Sequence, residues 1–416
     1  MCKNNQKKRI IPGMRTIILD IPEKEYAIFI KDKKYAKALI DTWIEKDTAH
    51  KLFPEAIFKG GYALKGTERP SKKMGLKKRR IKVGGVIFRI HPAFVTFYMR
   101  GKTTELKGGV FLMKFGVPFW AIAMIFGKYA MFWYRLWVDF GRNSVIGTTL
   151  RSAQDLPENI LCDEEHTYVR GKKAYIATTV SQGCLLGAEV VSKANEEQLK
   201  AAYEVAAQEM WNVNPGHEVK TSNTDGWTAT QAALRAIYNC AIVQCFLHAF
   251  IKVRHRQTKK NLHDFMPAAD RIWNAYRAKT LRAFAQQIRR LKEWAIREMS
   301  ESPMKNKVLE LCDKSRYWKV FYSYQKAYRT SNMLDRIMKL MKKSIKNAQY
   351  FHADNHKATL YMRAFALVYN FSPSSPLTIK RHNGKVCPAQ RVSNLKYSDD
   401  WFINLMVSTS LRGYRC

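Results

Sequence analysis

The pattern of hydrophobic and polar positions divides the first third of the chain into short strands and helices. Apolar residues alternate on both sides of Gly84-Gly85, which is typical of a hairpin with a glycine turn. Three apolar blocks between Glu105 and Arg142 predict three short helices. Short helices joined by a tight turn, in a basic protein, favour a helix-turn-helix-like unit. We expect its aromatic residues, Trp120 and Trp137 among them, to form its core.

The middle of the chain, residues 159–255, predicts a mixed α/β sheet. An apolar strand ends in three consecutive acids, and a hairpin around Gly183 follows it. A helix begins near Asn195, where Gln198 stands three positions on, as in a capping box. A strand to Asp225, a helix, and a last strand over AIVQCFLHAF complete the pattern.

The remaining residues predict helices. Apolar residues recur at steps of three and four over 281–294, as an amphipathic helix requires. They belong to an all-helical insertion, and a further helix begins near Asn332. We therefore divide the chain as follows: an arm and small mixed region (1–69), a basic hairpin plus helix-turn-helix-like region (70–150), the first part of the core (151–255), the helical insertion (256–327), the last core helices (328–372) and a C-terminal tail (373–416).

The charge of the chain indicates a polyanionic partner. It contains 72 Lys and Arg against 34 Asp and Glu, a formal net charge of +38. Nucleic acid and anionic membranes are the usual partners of such a field. A content of 46% hydrophobic residues excludes a wholly disordered basic protein. The densest basic cluster predicts DNA contacts at six positions: Lys72, Lys73, Lys77, Lys78, Arg79 and Arg80.

Nothing in the pattern predicts a membrane protein. The start, MCKNNQKKRIIPGM, lacks the apolar segment of a signal peptide and is interpreted as a basic arm. The most apolar window, residues 115–127, is too short to cross a bilayer. The eight cysteines are scattered without a CxxC pair, which favours reduced thiols. We expect a cytoplasmic, nucleoid-associated protein with no membrane partner.

Two acids stand where predicted strands end, Asp163 after the first and Asp225 after the fourth. In open α/β sheets, functional groups gather at such ends. Carboxylates about 4 Å apart repel by about 4 kcal/mol at an effective dielectric constant of 20, so they must protonate or hold cations. In a protein that attracts phosphate, this favours Mg²⁺ or Mn²⁺, and a pair of ions can clamp both oxygens of a phosphoryl displacement. The alternative is that both acids merely end strands and cap helices.

A third acid is expected from the last core helix. Asp335 lies in its first turn, and the helical period puts Lys339 and Lys342 on the same side, where they would contact the DNA backbone. The alternative is an ordinary first-turn Asp that is favoured by the helix dipole. Cys240, Cys245, His248 and His255 could be imagined as zinc ligands, but their spacing matches no usual zinc site. By strand alternation, Glu164 points away from the face of Asp163, and Glu165 shares it.

The order of these motifs resembles the Mutator-like DDE transposases of insertion sequences. The matching segments are LCDEEHTYV, TSNTDGW, QCFLH and TSNMLD, and the resemblance covers roughly residues 150–372. It implies an α/β RNase H-like catalytic core with an all-α insertion, preceded by a basic region with a helix-turn-helix-like unit. It also implies that Asp163, Asp225 and Asp335 are the catalytic metal ligands, with Cys245 and His248 in supporting roles.

The third position departs from the family pattern, in which Glu is usual. Glu310 and Glu298 of the insertion therefore remain alternatives to Asp335. The function implied is a DNA transposase that cuts and joins element ends with two Mg²⁺ ions. Its partners would be double-stranded DNA, as element ends and as target, and further copies of the chain in a homodimer or higher oligomer. Two rival functions share these features: an RNase H-like structure-specific nuclease or resolvase, and a non-catalytic DNA-binding protein derived from a transposase.

Overall fold

The protein is a mixed α/β protein with two β-sheets and many helices. The structure is a computed structural model and describes residues 14–48, 51–150, 152–393 and 396–414. The predicted basic arm lies outside the described residues, except for Met14. The strands are β1 (Thr16–Leu19), β2 (Ala63–Thr67), β3 (Arg79–Val83), β4 (Val86–Pro92), β5 (Asn159–Val169), β6 (Lys172–Ser181), β7 (Cys184–Val191), β8 (Thr221–Thr224) and β9 (Ala241–Gln244).

The described residues form α-helices of very different length. They are α1 (Glu23–Lys31), α2 (Lys33–Lys46), α3 (Ala56–Gly60), α4 (Thr103–Met113), α5 (Phe119–Phe126), α6 (Ala130–Phe140), α7 (Val145–Thr149), α8 (Glu196–Val213), α9 (Thr228–Tyr238), α10 (Phe246–Arg254), α11 (Leu262–Arg277), α12 (Leu281–Glu298), α13 (Pro303–Asp313), α14 (Arg316–Ser323), α15 (Asn332–Asn347), α16 (Asn355–Phe371), α17 (Pro376–Arg381), α18 (Pro388–Val392) and α19 (Trp401–Ser408).

The first sheet has the strand order β1-β4-β3-β2. The predicted hairpin is confirmed as β3 and β4, which pair antiparallel from Arg79↔Ile90 to Val83↔Val86. Gly84 and Gly85 close it with φ values of 53° and 83°, a left-handed region that glycine enters without strain. β1 runs parallel to β4, so the N-terminal strand covers the edge of the hairpin.

The second sheet has the order β7-β6-β5-β8-β9. β5, β6 and β7 form an antiparallel meander, whereas β8 is parallel to β5 and β9 is parallel to β8. Asn195 caps α8 as predicted, because its side chain accepts a hydrogen bond from Gln198 N at 3.2 Å. The long last strand predicted for this region is wrong: β9 ends at Gln244, and α10 begins at Phe246. β8, the strand that pairs with β9, ends at Thr224, so the sheet offers no further partner. The chain is helical from Phe246 and buries Phe246, Phe250 and Val253 on one face of α10.

Helices cover both faces of the second sheet. Cys162 and Ala177 face α8 and α9 in one apolar core, whereas Leu161 and Val180 face α15 and α16 in another. The second core continues into the first sheet. A buried ion-pair cluster joins α16 to β7 and α8: Arg363 contacts Glu189 Oε1 at 2.6 Å and Glu209 Oε1 at 2.5 Å.

The three-helix prediction is confirmed by α4, α5 and α6. Trp137 is fully buried, but the prediction that Trp120 belongs to the core is wrong, because it is 63% exposed. α5 turns its aromatic and Met side chains outward instead. A Cβ on Gly141 would lie 1.8 Å from Leu360 O, so only glycine permits the contact of this unit with α16. No helix in the described part of the chain is long and apolar enough to span a membrane.

The helical insertion has a core of its own. The predicted amphipathic helix is confirmed as α12, which buries Phe284, Ile288 and Leu291 against α11 and α13. Trp318 of α14 is buried and donates its indole N–H to Gln244 O at 2.9 Å. The insertion is therefore fastened to the end of β9, beside the predicted acids.

Candidate metal and nucleic-acid site

The two best-placed acids lie side by side where the parallel pairing of β5 with β8 ends. The prediction that Asp163 follows its strand is wrong, because β5 continues to Val169 and Asp163 pairs with Thr178 of β6. The last pair of the β5–β8 ladder is Leu161↔Asn223, and Asp163 and Asp225 each stand two positions beyond it. β9 extends this row, because Thr224 pairs with Gln244 and Cys245 follows. Parallel register therefore brings Asp163, Asp225 and Cys245 onto one edge from distant parts of the chain.

The electrostatics of Asp163 indicate an unbalanced negative charge. Burial, then the charge of Asp225, then that of Glu164, raise the pKa of Asp163 to about 8. The backbone N–H of Glu164 donates to Asp163 Oδ1 at 2.9 Å and offsets part of this shift. A carboxyl in this state either keeps its proton or needs a cation beside it.

The neighbouring acids follow the predicted strand alternation. Glu164 points to the α8 side, where its Oε1 accepts hydrogen bonds from Tyr203 at 2.6 Å and Thr230 at 2.8 Å. Glu165 points to the α15 side and forms an ion pair with Lys342 at 2.9 Å. Lys342, predicted to contact DNA, is thus held by a carboxylate of the sheet although its side chain remains half exposed.

The third predicted acid belongs to a cluster around Ser331. The Ser331 hydroxyl lies 3.1 Å from Asp335 Oδ2, 3.3 Å from Cys245 Sγ and 3.5 Å from His248 Nδ1. The hydrogen bond with Cys245 raises the pKa of His248 to about 9, against the opposing effect of burial. The carboxylates of Asp335 and Asp163 act in the same direction, so a protonated imidazole lies between the two acids.

Cys245 responds in the opposite sense. Burial raises the pKa of its thiol, but the hydrogen bonds with His248 and Ser331 outweigh burial and lower it. The six cysteines in the described part of the chain are all buried. His255 is exposed at the end of α10.

The fit of a metal ion was judged from these donors. No three His, Cys, Asp or Glu side chains of the described residues are grouped so that they could hold a metal ion. Asp335 is therefore not gathered with the first two acids, and the zinc alternative has no support. Mg²⁺ needs only one or two carboxylates beside water and phosphate oxygens. The oxygen donors of Asp163 and Asp225, whose negative charge His248 offsets only in part, fit such an ion.

A basic crevice adjoins the acids. It is lined by Asp225 and Cys245 from the sheet and by Lys252, Lys307 and Lys314 from α10 and α13. The pattern of polar residues in α13 gave no signal for this proximity, since it depends on how the insertion packs. Lysines beside carboxylates at one opening suit a phosphate chain that approaches bound cations.

The alternative third acids are engaged elsewhere. Glu310 lines the same crevice, but hydrogen bonds from Lys307 and Lys314 lower its pKa to about 2. Glu298 forms an exposed ion pair with Arg297 at 2.7 Å. Both acids are already paired with basic side chains, so Asp335, which accepts a hydrogen bond from Ser331, remains the candidate for the third acid.

Most basic residues predicted to bind DNA are accessible, with one exception. Four are exposed: Lys72, Lys73, Lys77 and Lys339. Two are half-buried: Lys78 and Arg80. Arg79 is only 2% exposed. Its guanidinium donates to Phe29 O at 2.9 Å and to Ile30 O at 2.5 Å, so it caps the end of α1 and the predicted DNA contact is wrong.

The chain matches no model of a known protein family, and no curated protein matches it. Its function must therefore be argued from the site itself.

Proposed function

We propose that the protein is a DNA transposase with an RNase H-like core, which cuts and joins element ends by phosphoryl transfer. The observation that carries the proposal is the pair of acids, Asp163 and Asp225, which repel each other where the parallel pairing of β5 with β8 ends, beside a lysine-lined crevice. Acids that need a cation and bases that attract phosphate are the two parts that metal-assisted phosphodiester chemistry requires.

The strand order of the second sheet supports the RNase H-like core. Such a core needs three antiparallel strands, then two strands parallel to the first and placed at its free side, as β5 to β9 are arranged. It also needs an acid on the first strand and one at the end of the fourth, where Asp163 and Asp225 stand. The resemblance of the sequence motifs points to the same arrangement.

The residues of the site have distinct roles in this proposal. Asp163 and Asp225 would hold Mg²⁺ or Mn²⁺, which when bound activates water and stabilises the leaving oxygen. Protonated His248 donates a hydrogen bond to a phosphate oxygen, and Asp335 keeps that imidazole charged. Lys252, with Lys307 and Lys314 that pair with Glu310, lines the opening beside the acids, toward which the DNA backbone would approach.

The reaction needs no protein nucleophile. Water attacks the phosphorus of a phosphodiester, the bond to the 3′ oxygen breaks, and that oxygen leaves as a 3′-hydroxyl. The freed hydroxyl then attacks a phosphodiester of target DNA and displaces its 3′ oxygen in turn. Because two ends are joined in one event, we propose a dimer or larger assembly. The exposed apolar residues of α5, Trp120, Met124 and Ile125, offer a surface for a second copy.

The test is cleavage of duplex DNA that carries the sequences bordering the coding region, with and without Mg²⁺. We expect Asp163→Asn and Asp225→Asn to abolish cleavage, whereas the exposed Asp399→Asn, with the same change of charge, retains it. Cleavage that survives both active-site substitutions would remove the proposal. Cutting of branched DNA without preference for the bordering sequences would favour the nuclease. Salt-dependent binding without any cleavage would favour the non-catalytic protein.

A further inference from the structure

An apolar groove lies between the three-helix unit and the C-terminal end of α15. Its volume is about 610 Å³. Phe119, Trp120 and Tyr134 line it from α5 and α6, and Tyr350 and Tyr361 line it from the opposite side. None of its described lining residues belongs to the second sheet or to the helical insertion, so the groove is separate from the acid site.

A row of exposed apolar side chains adjoins this groove. Trp120 and Met124 lie four positions apart on α5 and therefore stand on one side of the helix. Met131, at the start of α6, lines the groove as Trp120 does. The exposed fractions of Trp120, Met124 and Met131 are 63%, 78% and 50%, and those of Ile125 and Tyr129 are 68% and 59%. These five residues form the α5 ridge.

The α5 ridge is held in place from behind. Ile122, on the other side of α5, is fully buried. A Cβ on Gly108 of α4 would lie 2.9 Å from the ring of Phe126, so the two helices touch closely. Trp133 donates its indole N–H to Gly127 O at 3.0 Å and fixes the end of α5. An apolar surface that is fixed before binding loses little conformational entropy when a partner covers it.

The ridge and the groove carry little charge in a strongly basic chain. Residues 115–127 contain no charged side chain, whereas the whole chain has a formal net charge of +38. Lys357 is the one lysine or arginine among the described residues that line the groove, and no Asp or Glu is among them. Two copies of so basic a chain repel each other over most of their surfaces. A face without charge is therefore where two copies approach with the least repulsion.

The exposed apolar area is of the size that a stable dimer needs. At about 200 Å² for each large side chain, the exposed fractions of the five ridge residues amount to about 600 Å². Stable interfaces bury about 800 Å² on each partner, and an apolar patch of more than a few hundred Å² on a monomer marks an interaction site. The walls of the groove add to the area of the ridge.

We propose that the α5 ridge and the groove form a two-fold interface with a second copy of the chain, in which the ridge of each copy lies in the groove of the other. The inference rests on the proposed function only in that the joining of two ends requires an assembly. Ridge and groove are neighbours on one chain, so a two-fold axis between them forms both contacts at once. A membrane surface suits this face less well, because it has no side chains that would fill a concave groove.

The first experiment measures the mass of the full chain by sedimentation equilibrium, without DNA, at several protein and salt concentrations. We expect a dimer whose dissociation constant falls as salt rises, since salt screens the repulsion between two basic copies but not their apolar contacts. Met124→Lys should raise the dissociation constant about thirtyfold or more, as for a central interface residue. Met266→Lys is the matched control, because Met266 of α11 is 58% exposed and lies outside the ridge and the groove.

The second experiment tests which surfaces meet. Ala353→Glu places a carboxylate in the groove and should also prevent the dimer from forming. A mixture of the Met124→Lys and Ala353→Glu proteins should associate again. In the mixed dimer the introduced lysine lies in the groove that holds the introduced carboxylate, and the other groove keeps its native contact.

Four results would overturn the inference. The first is a monomer at every protein and salt concentration, and the second is an equal loss of the dimer with Met124→Lys and Met266→Lys. The third is the absence of association when the two ridge and groove variants are mixed. The fourth is binding of a monomeric chain to vesicles of phosphatidylcholine and phosphatidylserine that Met124→Lys removes, which would assign this face to a membrane.

Two further variants keep the test decisive. Should Met124→Lys fail to fold, Ile125→Lys of the same ridge takes its place in both experiments. Asp163→Asn should leave the dimer unchanged. A dimer that cleaves no DNA would therefore refute only the proposed transposase activity, whereas cleavage by a monomer would refute only this interface.

Discussion

Neutralising Asp163 should change how the stability of the metal-free protein depends on pH. The pKa of this carboxyl is raised from 3.8 to about 8 in the folded chain, first by burial and then by Asp225 and Glu164. Between these values the folded state binds a proton that the unfolded state has released. The free energy of unfolding therefore falls as pH rises through this window, and the contribution is complete only below the lower value.

The magnitude follows from one proton. A proton that the folded state binds and the unfolded state has released changes the free energy of unfolding by about 1.4 kcal/mol per pH unit. Between about pH 4.5 and about pH 6 the change is about 2 kcal/mol. This range lies below the ordinary value of 6.5 for His248, whose own pKa is raised to about 9. His248 is therefore protonated in both states there and adds little. Asp163→Asn removes the titration, so its stability relative to the wild type should grow by this amount across the range.

The assay is urea unfolding, followed by tryptophan fluorescence in the presence of a chelator at several pH values. Asp399→Asn is the control, because Asp399 is exposed and pairs with the exposed Lys396. We expect the wild type and Asp399→Asn to lose stability in parallel as pH rises, and Asp163→Asn to lose less. Identical pH profiles for all three proteins would refute the reasoning, since they would mean that the pKa of Asp163 is not raised in the folded chain.

Three further outcomes test the fold and the assigned contacts. Arg363→Met should lower the free energy of unfolding by about 3–5 kcal/mol, because it leaves Glu189 and Glu209 buried without their cation; unchanged urea denaturation would contradict this. Gly141→Ala should prevent normal folding, since its Cβ would lie 1.8 Å from a carbonyl oxygen of α16; a wild-type melting temperature would disprove the contact. Arg79→Met should destabilise the chain, because its guanidinium caps a helix, but should not weaken the binding of duplex DNA measured by fluorescence anisotropy. Weaker DNA binding with unchanged stability would restore the predicted DNA contact.

Local patterns predicted much of the secondary structure. The glycine turn of the hairpin at Gly84-Gly85, the cap at Asn195 and the amphipathic helix over 281–294 each depend on neighbours within a few residues, and each is observed. The strand predicted through Cys245 is wrong, because its end depends on a partner strand that stops at Thr224. Alternating apolar residues could not reveal where that partner stops.

Exposure was harder to predict than element type. Trp120 is an aromatic residue of the kind expected in a core, but it is exposed. Arg79 is a base of the kind expected to contact DNA, but it is buried. Packing between elements decides which face of α5 meets α4 and α6. It also decides which carbonyl groups at the end of α1 need a hydrogen-bond donor. Neither is encoded in the local sequence around these two residues.

The sequence by itself determined the charge of the chain, most of the order of its elements and the identity of the candidate acids, because these depend on composition and on local periodicity. Only the tertiary structure decided that parallel register sets Asp163 beside Asp225, that Ser331 links Asp335 to His248, and that the insertion brings lysines to the same opening. The physical reason is that burial and charge repulsion act through space, between groups that the chain separates by many residues.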